Sequence, residues 1–367
     1  MSFSSFDYQM MSRAIHLAQK GRFTTAPNPN VGCVITQGEQ IVGEGFHYRA
    51  GEPHAEVHAL TMAGKLSAGA TAYVTLEPCS HYGRTPPCAE GLIKAGVKKV
   101  ICAMQDPNPQ VSGRGINMLR DAGIEVEVGL LQSDAEALNP AFIKRMKTGM
   151  PFVQLKMAAS LDGQTALANG KSQWITSPQA RQNVQTYRAQ AGAILSTSQT
   201  VLDDNASLTV RWNELPDSVK QHFPQTEIRQ PARVILDRHN KLHSGLALFS
   251  RYGGPVLRVA EDNADVMVEL NVNNQLDLHQ ILATLVRVHN INHVWVEAGA
   301  TLAKSLLEAQ LVDELIVYLA PKLMGSDGRG LFGALGLTDM NQVPELDIED
   351  CRMVGPDIRI VAVPKPI

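Results

Sequence analysis

No stretch of the 367-residue chain approaches the roughly 18 consecutive apolar residues that a membrane-spanning helix needs, which excludes insertion of that kind. The opening segment MSFSSFDYQMMSRAIHLAQ lacks a basic start, an apolar core and a small-residue cleavage site, so it does not resemble a secretory leader, and a cytoplasmic location is expected. An excess of charge of one sign is also lacking. A net charge of −3 and a pI near 6.4 offer no broad positive field to a polyanion, so nucleic acid is a poor default partner. Cysteine is scarce as well: five thiols, an odd number, do not make a disulfide framework in a cytosolic chain, and metal binding or burial is the expectation for each. Internal repeats and low-complexity segments are absent.

What is present is an ordinary globular composition, 44% hydrophobic and 19% charged, in a chain long enough for two domains. Phe6, Met10, Ile15 and Leu17 recur at helical spacing until Pro27-Asn28-Pro29-Asn30 breaks the pattern. Two apolar runs, 31–35 and 41–45, flank Gln37-Gly38-Glu39 and predict a hairpin. Helix and strand then alternate: a helix from Pro53, a strand over 72–76, a helix over 88–95, a strand over 100–104, a helix near 116–122 and a strand over 125–128. The pattern predicts a three-layer α/β module. Residues 130–151 read as helical up to Gly149 and Pro151, which places a boundary between a domain 1–147 and a domain 148–367. The second half is again α/β, with strands expected at 152–157, 193–196, 233–236, 255–259, 293–296 and 315–319. The polar, proline-containing stretch 212–232 is expected to be a long surface loop.

The chemistry of the first half is carried by His54-Ala55-Glu56, by Pro78-Cys79 at a strand end, and by Cys88 at a helix start. One imidazole and two thiolates supply three ligands for tetrahedral zinc and leave a fourth position for water. Glu56 is too close to His54 in the chain to be a comfortable ligand, but it suits a general acid/base. His-x-Glu followed by Pro-Cys and a second Cys is the pattern of zinc deaminases, in which water attacks an amino-bearing ring carbon and ammonia leaves. An isolated His-x-Glu is ordinarily helix surface and single cysteines are ordinarily buried; it is the combination that points to metal. Cys33 and Cys102 lie in apolar strands and are assigned to the core, Cys351 has no assigned role, and His58 is a weaker competitor as a ligand.

The eight residues between the two thiols, together with APNPNVGCVI, GEPHAEVHAL and TLEPCSHYGRTPPC, make this half resemble the deaminase domain of the bifunctional riboflavin-biosynthesis deaminase/reductase family. That resemblance implies a cytidine-deaminase-like fold acting on 2,5-diamino-6-ribosylamino-4(3H)-pyrimidinone 5′-phosphate. It also implies that Asn28, His47, His81 and Arg84 line the pocket, with the guanidinium of Arg84 suited to phosphate.

PFVQLKMAASLDGQTA, WITS, TVLDDNASLTVR and WVEAGATLAKSLL are similar to the reductase domain of the same family. The implied fold is dihydrofolate-reductase-like, and the implied reaction uses NADPH to reduce the ribosyl side chain, giving 5-amino-6-ribitylamino-uracil 5′-phosphate. Residue by residue, the resemblance places Lys156, Asp204 and Glu297 near the sugar and pyrimidine, with Lys156 and Asp204 as catalytic candidates. Ser172, Arg188, Leu208 and Arg211 face the rest of the substrate and its phosphate. Ala158, Trp174, Thr200, Asp204 and the turn Gly299-Ala300-Thr301-Leu302 border the nicotinamide nucleotide, a strand-to-helix turn being able to cradle a phosphate. Ala298 departs from the glycine more usual there. No dinucleotide fingerprint and no 2′-phosphate clamp is visible. Family habit implies a homodimer with small-molecule substrates. The competing readings are a nucleic-acid or nucleoside deaminase with an accessory C-terminal domain, and a non-catalytic protein with structural zinc.

Overall fold

The computed structural model describes residues 3–82, 86–109, 111–221 and 223–365, in two compact units, Met1–Gly149 and Met150–Ile367. Among the described residues no helix is long and apolar enough to cross a membrane.

Unit 1 holds strands β1 (Gly32–Gln37), β2 (Gln40–Phe46), β3 (Thr71–Val74), β4 (Lys99–Cys102) and β5 (Glu125–Val128) in one sheet of order β2-β1-β3-β4-β5. The β1–β2 hairpin is antiparallel, whereas β3, β4 and β5 run parallel. Side chains alternate across the sheet. Cys33, Ile35, Ala72, Val74, Val100 and Cys102 enter one core with the helices Ala55–Ala63, Cys88–Lys94 and Arg114–Asp121, while Val34, Tyr73 and Ile101 enter a second core with the helix Ser5–Gln19. Both faces are thus covered, giving three layers, and Cys33 and Cys102 are core residues.

The helix carrying Glu56 starts at Ala55 with His54 as its N-cap, so Pro53 precedes the cap and does not occupy the first turn. Gly43 and Gly45 on β2 let this helix approach, since a Cβ at either would lie 2.1 Å from the Ala59 carbonyl oxygen or 2.5 Å from the His58 Cβ. The expected single helix over 130–151 is two helices, Gln132–Glu136 and Pro140–Thr148. Between them Asn139 turns its side-chain amide onto Asn30, accepting from the Asn30 N–H (2.7 Å) and donating to its carbonyl (2.9 Å).

Unit 2 contains β6 (Phe152–Ser160), β7 (Gln164–Ala166), β8 (Ala193–Thr197), β9 (Ala232–Leu236), β10 (Val256–Ala260), β11 (Val266–Met267), β12 (His293–Glu297), β13 (Glu314–Ala320), β14 (Arg329–Gly330), β15 (Leu346–Val354) and β16 (Asp357–Pro364). Nine of them form one sheet of order β11-β10-β9-β8-β12-β6-β13-β16-β15, parallel from β11 to β13 and closed by the antiparallel β16 and β15; β7 pairs with β14. The central strands are buried on both faces, with Val294, Val296 and Leu195 in one core and Trp295, Ile194 and Ile235 in the other. The stretch 212–232 is not merely surface. It contains the short helix Asp217–Lys220, and Leu215, Val219, Phe223 and Ile228 anchor it in the interior.

Candidate active sites

In unit 1 the strand-to-helix junctions converge on one cluster. Among the described residues, ligand atoms of His54, Cys79 and Cys88 all lie within 4.8 Å of one another. His54 Nδ1 is 3.2 Å from Cys88 Sγ and 3.6 Å from Cys79 Sγ. A tetrahedral ion with Zn–N near 2.0–2.1 Å and Zn–S near 2.3 Å requires edges of about 3.6 Å between such atoms, so the three donors fit zinc. Burial alone would raise the thiols. A hydrogen bond from Cys88, with help from His54, nevertheless holds Cys79 well below the ordinary thiol range, while Cys88 is pushed up by keeping the shared proton and by burial. Such a pair is ready to surrender its proton to a cation.

Glu56 is 3% exposed and abuts the cluster; burial, then the Cys79 charge, pushes its carboxyl up to about 6. His47 is buried and its pKa is lowered, chiefly by burial. Its Nδ1 lies 3.2 Å from the Pro53 carbonyl, so it donates there; Nε2 then accepts from Asn28 Nδ2 at 3.1 Å. The structure therefore brings Asn28 and His47 together beside His54, whose ring centroid is 5.2 Å from that of His47. His81 is exposed, and Arg84 lies outside the described residues. His58, one turn further along the helix than His54, is not among the three clustered donors.

One residue went unnoticed in the sequence. Glu77, two positions before Cys79, is 4% exposed and accepts four backbone hydrogen bonds, from Asp106, Gly113, Gly115 and Ile116.

In unit 2 a cleft of about 1730 Å³ opens at the carboxyl ends of the parallel strands. The reductase candidates lie along it: Lys156, Asp204 and Glu297; Ser172, Arg188, Leu208 and Arg211; Ala158, Trp174 and Thr200; and Gly299 through Leu302. Lys156 and Glu297 are register partners on β6 and β12. The Glu297 carboxylate takes a bidentate pair from Arg188 (2.5 and 2.8 Å) and a bond from Trp295 Nε1 (2.8 Å). Burial opposes ionisation, but the charge and hydrogen bonds of Arg188, then Lys156 and Trp295, hold the Glu297 carboxyl down at about 2. Burial lowers the Lys156 ammonium, with Glu297 acting in the other direction.

Arg188 also donates to the Thr209 carbonyl (2.9 Å), so much of its donor set is already engaged within the protein. Arg211 is paired with Glu214 at 2.5 and 2.9 Å on the exposed rim. Trp174 is 65% exposed with the Arg181 guanidinium 4.6 Å above its ring, and Asp204 accepts from Gln173 at 2.8 Å. Gly299 caps the helix Ala300–Glu308 and, lacking a side chain, leaves the first-turn amides open to an anion. The same cleft is lined by Arg238, His239 and Lys241, on the turn after β9, which the sequence reading passed over. Their signal was three basic side chains directly following an apolar strand.

Comparison with known proteins agrees with both units. Residues 4–104 match the cytidine and deoxycytidylate deaminase zinc-binding region, and residues 151–360 match the RibD C-terminal domain. The chain is 54% identical over 359 residues, 96% of its length and 98% of the relative's, to the riboflavin biosynthesis protein RibD of Escherichia coli (strain K12). It resembles the solved structure of Acinetobacter baumannii RibD (form 1) with a TM-score of 0.91 and 45% identity, over 98% of this chain and 99% of that one. A similar match, TM-score 0.85 and 34% identity over 98% and 99%, is to the solved structure of a diaminohydroxyphosphoribosylaminopyrimidine deaminase/5-amino-6-(5-phosphoribosylamino)uracil reductase from Thermotoga maritima.

Fold and sites together define a two-unit enzyme, a cytidine-deaminase-like zinc deaminase followed by a nicotinamide-dependent reductase. The chain belongs to the RibD family. It is a bifunctional deaminase and reductase of riboflavin biosynthesis, with zinc and NADPH as cofactors, and the nucleic-acid deaminase reading is not favoured.

Proposed function

We propose that residues 1–147 deaminate the diaminopyrimidine ribosylamino phosphate and that residues 148–367 reduce the ribosyl chain of the product to ribityl. The observation that carries the reading is the three-donor cluster with buried Glu56 against it. His54, Cys79 and Cys88 would hold zinc, which when bound would lower the pKa of a water toward neutrality. Glu56 passes one proton of the attacking water to the ring nitrogen, where it stays, and the second, from the hydroxyl so formed, to the departing amine, which leaves as ammonia. Asn28, oriented by His47, keeps its carbonyl oxygen for a polar ring edge, and the family resemblance adds His81 and Arg84 as substrate-binding side chains.

In the second unit bound NADPH would supply the hydride that reduces the sugar C1′. Lys156, its proton made labile by burial, serves the sugar oxygen, and Asp204 lines the same cleft. Glu297, Ser172, Leu208, Arg188 and Arg211 surround the substrate. Ala158, Trp174 and Thr200 would border the nicotinamide nucleotide, and the amides of Gly299-Ala300-Thr301-Leu302 would hold its pyrophosphate. In a parallel sheet a dinucleotide lies across the strand ends. The order β12-β8-β9 puts the turn after β9 two strands, about 10 Å, from the turn at Gly299, and Arg238, His239 and Lys241 there would suit a 2′-phosphate.

The protein works in the cytoplasm on small molecules, without nucleic-acid or membrane partners, as a homodimer. Exposed Ile348 and Met353 on the edge strand β15 supply an apolar face for self-association. The test is to incubate the purified chain with the diaminopyrimidine phosphate, with and without NADPH. Ammonia release without cofactor, followed by NADPH oxidation, is expected; NADPH oxidation with no ammonia released would refute the order of reactions.

A further inference from the structure

We propose that Glu77 is a positioning residue for the zinc centre, holding Cys79 in place through a carboxylate clamp. This rests on the reading of His54, Cys79 and Cys88 as the zinc ligands.

Glu77 belongs to the short segment leaving β3, two residues before Cys79. Its own N–H donates to the Met104 carbonyl (3.0 Å), which prolongs the β3–β4 pairing by one step. Its carboxylate then gathers two further backbones. Oε2 accepts from Asp106 N (3.1 Å) and Gly113 N (2.9 Å), and Oε1 accepts from Gly115 N (2.9 Å) and Ile116 N (3.3 Å). A carboxylate offers about four lone-pair sites, and all are taken. The amides of 113–116 open the helix Arg114–Asp121, where Gly113 is the cap and contributes no side chain, so Glu77 does the capping from a distant part of the chain.

The link to the metal runs through Pro78. Gly115 lies so close to it that a Cβ there would be 1.9 Å from the Pro78 carbonyl oxygen. Cys79 in turn sets the second thiol: its carbonyl accepts from Ala89 N (3.2 Å) and its sulfur accepts from Cys88 N (3.3 Å). One buried carboxylate therefore ties the β3 exit, the β4 exit and a helix start around the segment that presents both sulfurs. Groups of this kind, one step removed from the metal, typically change its affinity by 10–100-fold when altered.

Three variants of the full chain test this. Glu77→Gln keeps the volume but turns one oxygen into a donor facing two N–H groups. Glu77→Asp keeps the charge one methylene back from the amides, and Gly115→Ala leaves the carboxylate intact while driving a methyl group against Pro78. Zinc affinity is measured by competition with a chromophoric chelator, and the cobalt-loaded protein is examined for its thiolate-to-metal charge-transfer band. Glu77→Gln and Gly115→Ala should each weaken zinc on the order of ten-fold or more and alter the cobalt band, with Glu77→Asp falling between them and the parent. NADPH oxidation with the deaminated substrate should be unchanged. Folded variants with the parent's zinc affinity and cobalt spectrum would overturn the proposal, since a merely architectural carboxylate would lower the melting temperature and leave both readouts alone. Should Glu77→Gln fail to fold, Glu77→Asp and Gly115→Ala decide the matter. Zinc binding that survives Cys79→Ser and Cys88→Ser would instead sink the ligand reading, separately from the role of Glu77.

Discussion

The Arg188–Glu297 pair makes a quantitative prediction. Glu297 titrates at about 2 in the folded protein against an ordinary value of 4.5, with its side chain 14% exposed. A depressed carboxyl stabilises the fold fully above its unfolded pKa and loses that contribution as pH falls toward its folded pKa. A difference of about 2.5 units corresponds to about 3 kcal/mol at pH 7, of which about 2 kcal/mol has gone by pH 3. Glu297→Gln cannot titrate and leaves Arg188 without its counter-charge, so it should be strongly destabilised at pH 7. The gap between variant and parent should then narrow by about 2 kcal/mol at pH 3. All three tryptophans, Trp174, Trp212 and Trp295, lie in unit 2, so indole fluorescence in urea follows this unit alone. With an m-value of about 3 kcal/mol per M, the two midpoints should draw together by about 0.7 M. A midpoint gap that is the same at pH 7 and pH 3 would refute the argument, because it would mean that Glu297 is not ionised by its partner.

Other outcomes follow from the site geometry. Glu56→Gln should abolish ammonia release while one zinc stays bound and NADPH oxidation continues; retained deamination would count against the proton-transfer role. Stripping zinc with a chelator should stop deamination and spare reduction of the deaminated substrate, and an equal loss of both would argue against two separate sites. Lys156→Ala should slow reduction on the order of 100-fold with little change in zinc content or deamination, checked by single-turnover NADPH oxidation. Arg238→Ala should raise KM for NADPH on the order of ten-fold and leave NADH unaffected, which steady-state kinetics with the two cofactors will measure.

The sequence showed most clearly those elements whose two faces are both buried. The apolar runs at 193–196 and 293–296 match β8 and β12 closely because Trp295 and Ile194 fill one core while their neighbours fill the other. The hairpin of β15 and β16 escaped notice for the opposite reason: β15 is exposed along most of its length, so selection for burial leaves no period to read, and Asp350 and Arg352 interrupt what remains. The break at Asn139 was invisible too, since it is set by bonds to Asn30, 109 positions away in the chain. The zinc donors were legible because coordination demands particular side chains, whereas Glu77 works on backbone amides, which any sequence supplies. Arg238 was missed because a rim cation needs no spacing rule, only a place at a strand end.

Placement at strand ends explains why such different chemistries share one structural logic. In unit 1 the chain leaves β3 at Glu77 and Cys79 and leaves β4 at Asp106, so parallel neighbours deliver a metal ligand and its support to the same edge. In unit 2, β6, β12, β8 and β9 lie side by side. Lys156, within β6, comes first along the cleft, followed by the exits of β12, β8 and β9 with Glu297 and the turn at Gly299, Thr200 and Arg238. Parallel strands force every crossover to restart at the opposite edge, so the carboxyl edge is where loops are free to vary without disturbing the buried runs. The reactive groups therefore depend on rigid strands for position and on short loops for identity. Glu297 shows both dependences at once: β12 sets its register against Lys156, and Arg188, reaching in from the helix Pro178–Gln190, does most to keep it charged there.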